Sequence, residues 1–190
     1  MKTKMGLFAA VAIGAVLAIS GCGDSSTSQK STNAITPATG GEPLPANLIL
    51  KEAPAGAKDV GTLKKEAREG DAVVIRGQVG GSKDDDFNQG RAAFTIVDMK
   101  LPACSMKPGD TCETPWDFCC ESKESLAANT AMIQIVDAAG KPLKATVQGK
   151  DGIDHLSVLV VKGTVAKREE QNLVVNATGI YVEKTAPKKQ

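Results

Sequence analysis

Five apolar runs rich in valine and isoleucine, separated by turn residues, most narrow what this chain can fold into. They cover residues 72–79, 92–98, 132–137, 156–166 and 172–182. β-Branched side chains fit a pleated surface, and short runs bounded by glycine, proline and aspartate read as strands. A sixth run, 143–148, follows the turn Ala139-Gly140-Lys141-Pro142. Gly77 and Gly163 each stand inside a run, two residues before a valine. Glycine within a strand marks a tight bend or the close approach of another backbone. The pattern predicts a mainly β domain, a small closed barrel of five or six strands joined by hairpins.

Two helices are expected beside the strands. Residues 59–69 form the first, with Gly70 as its C-cap. The second lies in the stretch that interrupts the β pattern, residues 104–120. Four of the five cysteines fall there, Cys104, Cys112, Cys119 and Cys120, with the only tryptophan, Trp116. Pro108-Gly109-Asp110 is a turn. Thr114-Pro115-Trp116-Asp117 reads as a helix start, with threonine as N-cap and proline in the first helical position. The helix is expected to run to about Ala128, placing Cys119 and Cys120 one turn inside it and Trp116 as its core anchor. Residues 150–155 read as one helical turn, with His155 as a surface residue.

The N-terminus is a leader. Lys2 and Lys4 precede an apolar run over 5–19, short of the ~18 residues of a confident membrane span. It ends in Ile19-Ser20-Gly21-Cys22, which resembles the bacterial lipobox. That resemblance implies removal of residues 1–21 and lipidation of Cys22. Residues 22–47, rich in Ser, Thr, Gly and Pro, are then a disordered tether. Gly23 after the lipidated cysteine implies, by resemblance to sorting in enteric bacteria, the outer membrane facing the periplasm. Loss of the leader leaves 21 basic against 22 acidic residues, so no bulk positive field attracts nucleic acid. Membrane attachment is expected through the acyl chains.

Residues 69–79 (Glu-Gly-Asp-Ala-Val-Val-Ile-Arg-Gly-Gln-Val) and 94–98 (Phe-Thr-Ile-Val-Asp) resemble the first two strands of OB-fold proteins. The resemblance spans roughly 59–183 and implies a Greek-key β-barrel domain, 48–183, with a Cys-rich helical insertion at 99–130. Residues 184–190 are a basic tail. OB-folds usually carry their helix between the third and fourth strands, whereas here the larger helix precedes the third. The stretch from Pro108 to Cys120 also resembles uncharacterised bacterial envelope proteins, which implies no activity.

With Cys22 lipidated, four cysteines are left, and an oxidising envelope favours two disulfides. Adjacent Cys119 and Cys120 are expected each to pair with Cys104 or Cys112 rather than with one another. A metal site on the same four cysteines is the alternative, holding zinc or copper, with Met99 or Met106 as thioether donors for Cu(I). Their spacing departs from the paired knuckles of zinc sites. Thiol redox is the third reading, without a Cys-x-x-Cys motif behind it.

Residues 84–90 vaguely resemble a calcium loop, but their glycine and twelfth position are out of register, so a solvated hairpin tip is expected. Phe94 and Tyr181, with scattered Arg76, Lys162, Lys167 and Arg168, make a poor stacking platform for nucleic acid. No catalytic motif occurs, and the single histidine leaves little for acid–base chemistry. The expected function is a non-enzymatic lipoprotein that binds an envelope protein, peptide or glycan and needs no cofactor, with metal handling as the alternative.

Overall fold

The structure is a computed structural model and describes residues 41–81 and 86–185. Its elements follow in the order β1 (Lys58–Asp59), α1 (Val60–Glu66), β2 (Ala72–Val79), β3 (Ala93–Val97), a 3-10 turn (Cys104–Met106), α2 (Lys123–Asn129), β4 (Thr130–Gln134), β5 (Val158–Glu169) and β6 (Asn172–Lys184). The protein is mainly β, as its valine-rich runs predict. All six strands join one mixed sheet in the order β1-β2-β3-β4-β6-β5. β5 pairs back to β2 antiparallel, from Ala72 opposite Thr164 to Gln78 opposite Val158. β4 and β6 run parallel, with Met132 opposite Val174.

Period-two alternation builds the core. Val73, Ile75 and Val79 of β2 are buried, and Phe94, Ile96, Ile133, Leu159, Leu173 and Ile180 meet them in one apolar cluster. Burying each such side chain contributes about 1.5–3 kcal/mol relative to leaving it in water. The two strand glycines occupy close approaches. A Cβ on Gly77 would stand 2.9 Å from the Val97 carbonyl oxygen. On Gly163 it would collide with the Asn176 carbonyl, at a point where the β5–β6 register slips.

Several boundaries differ from expectation, each for a visible reason. α1 stops at Glu66, not Glu69, because Asp71 takes the Arg68 N–H and Val165 takes the Gly70 N–H. Residues 143–148 form no strand. They cover the sheet instead: Leu143 accepts from Ala92, and Ala145 and Val147 are buried. Residues 150–155 form turns, not a helix. Part of the expected tether packs on the domain, since Glu42 bonds to Lys144 and Leu44 touches the core. Among the described residues no helix is long and apolar enough to cross a membrane.

Candidate functional site

The connection from β3 to β4 carries the cysteines on a small apolar base of its own. Val97, Ala103, Phe118 and Leu156 are buried together, with Leu101, Trp116 and Leu126 packed against them. Phe118 is wholly buried and sits so close to Gly80 that a Cβ there would lie 2.7 Å from its ring. Gly80 has φ +158, a backbone conformation that side chains rarely adopt, so backbone and space both call for glycine here.

On this base two backbone segments clip together. The Cys104 N–H donates to the Asp117 carbonyl at 2.8 Å and the Ser105 N–H to the Pro115 carbonyl at 3.2 Å. This clip overturns the helix expected from Thr114. The carbonyls of Pro115 and Asp117 face Ser105 and Cys104 instead of the amides one turn ahead. The Asp117 side chain takes the Phe118 N–H at 2.6 Å. The helix starts at Lys123, where Ser122 is the N-cap and accepts from the Ser125 N–H at 3.1 Å. Cys119 and Cys120 therefore lie in exposed turns, not inside a helix.

The clip gathers three sulfurs. Cys119 Sγ lies 3.3 Å from Cys104 Sγ and 3.4 Å from Cys112 Sγ, and all three fall within 4.8 Å of one another. Neither distance is a bond, so the expected disulfides are not in place: a bridged pair stands ~2.05 Å apart, and the cysteines are free thiols. Cys104 is buried, Cys112 half-buried and Cys119 exposed. Burial pushes the Cys104 thiol up, but hydrogen bonds from the Cys119 and Cys112 thiols and from the backbone N–H groups of Cys120 and Cys119 outweigh it, and its pKa falls below the ordinary value. The Cys119 thiol is pushed up to about 11, chiefly by its bond to Cys104. The Cys112 thiol is also raised, first by Asp110, then by Cys119 and Cys104. The Lys107 ammonium is paired with Glu121 at 2.8 Å and acts electrostatically on Cys120 and Cys104.

Beside the cluster stands a group that sequence reasoning missed. His155 is not a lone surface residue. Its ring stacks on Trp116 with centroids 4.2 Å apart, meets Phe87 edge-on at 5.2 Å, and Nδ1 lies 3.1 Å from Asp86 Oδ2. Trp116 is correspondingly a half-buried contact between loops, not a helix anchor. Asp86 and Phe87 are buried rather than part of a solvated tip, and Phe87 bridges to Phe94. Residues 84 and 85 of that loop lie outside the described residues, as does Cys22.

The remaining sequence candidates are dispersed. Phe94 is in the core and Tyr181 is half-buried on β6. Arg76 pairs with Glu183 at 2.7 Å, Lys167 with Glu169 at 3.0 Å, and Lys162 is exposed. Arg168 donates to the Lys64 carbonyl. Met99 is half-buried, and Met106 is exposed on the same 3-10 turn as Cys104. No protein-family model, curated protein or solved structure matches the chain.

Proposed function

We propose that this chain is a bacterial envelope lipoprotein whose β domain handles a soft metal ion on Cys104, Cys112 and Cys119. The observation that carries the reading is the convergence of three thiols within 4.8 Å of one another. An ion ~2.3 Å from each of three sulfurs spaces them ~3.8–4.0 Å apart. The 3.3 and 3.4 Å separations need only open by roughly half an ångström to reach that. Soft thiolates select zinc or cuprous copper over hard cations. The two amide N–H groups that donate to Cys104 would support a thiolate there, as outer hydrogen bonds support metal ligands generally.

The rest of the reading concerns placement. The ring of pairings β2–β3–β4–β6–β5–β2, with β4 parallel to β6, supports a closed OB-like Greek-key barrel. The leader and lipobox support lipidation at Cys22 and a periplasm-facing outer-membrane site. The domain is non-enzymatic in this reading, and its cargo takes the place of a protein, peptide or glycan ligand.

One observation favours a second reading. Cys119 could close on either Cys104 or Cys112 by shortening one gap to ~2.05 Å, which would give a disulfide-stapled binding module. Elemental analysis with thiol counting, on protein taken from its own envelope, separates the two. The metal reading expects a stoichiometric metal and thiols that alkylate after chelation. No metal and a disulfide at Cys119 would overturn it in favour of the staple.

A further inference from the structure

Resting on the metal reading above, the geometry points to a more specific cargo: we infer that the ion is cuprous copper, held by Cys104, Cys112 and Cys119 and handed on through Cys120. Three donors converge, and among the described residues no imidazole or carboxylate joins them within the same 4.8 Å. Structural zinc sites are almost always four-coordinate. Cuprous copper is content with three thiolates and has the softness to prefer them.

The site is also graded from inside to outside. Cys104 is buried, Cys112 intermediate, and Cys119 and Cys120 are exposed. A storage or structural ion is better kept by ligands closed off from water; an ion meant to leave needs a solvent-facing side. Cys120 follows Cys119 directly and is exposed like it, yet its sulfur stands outside the triangle. It is placed to take one coordination position as another is given up.

The transfer is ligand exchange without electron transfer. Cys120 loses its proton and forms a Cu–S bond as the Cu–Cys104 or Cu–Cys112 bond breaks, and the released thiolate takes up the proton. Acceptor thiols then repeat the same step, one Cu–S bond forming for each one broken. Copper enters and leaves as Cu(I), so no oxidant or reductant is required.

The test uses the full chain, reduced and kept free of oxygen, titrated with Cu(I) as its acetonitrile complex and separately with zinc sulfate. The expected result is one Cu(I) per chain, X-ray absorption showing three sulfur neighbours and no nitrogen or oxygen, and displacement of bound zinc by equimolar Cu(I). Cys120→Ser should keep the stoichiometry and the three-sulfur signature, while transfer of copper to dithiothreitol slows about tenfold. A four-coordinate zinc site that survives equimolar Cu(I) would overturn the copper assignment and leave the metal reading standing. Unchanged transfer from the Cys120→Ser chain would overturn the handover. Binding of neither ion by the reduced chain would instead bring down the metal reading itself.

Discussion

The imidazole of His155 lies nearly flat on the indole of Trp116, with ring centroids 4.2 Å apart and planes 16° from parallel. Trp116 belongs to the cysteine stretch and His155 to the segment that enters β5. This contact, with the His155–Asp86 bond at 3.1 Å, ties three loops together at one end of the sheet. His155→Ala should cost about 0.5–1.5 kcal/mol through the lost ring contact. Because Trp116 is the only tryptophan, its emission should shift to the red. Amides of residues 104–122 should exchange faster while those of β5 and β6 stay protected. Unaltered exchange in 104–122 would show that the stack does not hold the stretch in place.

Lys64 makes stability depend on pH. Its ammonium donates to the Ala127 and Gln171 carbonyls, joining α1 to α2 and to the β5–β6 turn. Burial, helped by the Arg168 charge, pushes its pKa down to about 8 from an ordinary 10.5. Between these values the unfolded chain holds the proton more tightly than the folded one, so stability rises with pH. The contribution is fully present above about 10.5 and lost as pH falls through about 8. Urea melts at pH 7.5 and 9.5 should show this gain in the native chain and not in Lys64→Met. Equal slopes in both would exclude the lysine as its source.

Among the described glycines Gly163 is the least able to accept a side chain, since even a Cβ collides with the Asn176 carbonyl across the β5–β6 ladder. Gly163→Val should destabilise the domain by about 1–3 kcal/mol, read from the urea midpoint. Gly90, with no atom within 4 Å of its virtual Cβ but φ +75, supplies a control. Gly90→Asn, which tolerates that backbone, should change the midpoint far less.

Lipidation is tested by processing. Cys22→Ser should leave the leader uncleaved and yield a precursor longer than the native mature chain. Cleavage of the mutant at residue 22, with unchanged membrane partitioning, would sink the lipoprotein assignment.

Much of the fold was legible because its signal is local. Valine-rich alternation places β2, β5 and β6 within a few residues of where they stand, and Gly77 and Gly163 mark true close approaches. Thr114-Pro115 predicts a helix start that the chain does not use, since Ser122 caps the helix instead. The choice between them is made by Cys104 and Ser105, which meet Asp117 and Pro115 through the backbone. Local pattern cannot register that clip. The two-residue β1 pairs parallel to β2 and is too short for any periodicity. His155 finds Asp86 across 69 residues of sequence, so an apparently lone histidine acquires its partner only in three dimensions. The four cysteines were legible as a cluster; that three converge while Cys120 stands aside depends on the turns around Phe118.

The position of β6 has a consequence for how the chain folds. It lies between β4 and β5, parallel to one and antiparallel to the other, yet it comes last in sequence among the described strands. Until residues 172–184 are available, β4 lacks a neighbour on one side and β5 is held only through β2. Such non-local pairings form late and slowly. A chain released from its N-terminus onward would hold β4 and β5 apart until residues 172–184 arrive, so the sheet closes in one late step rather than strand by strand.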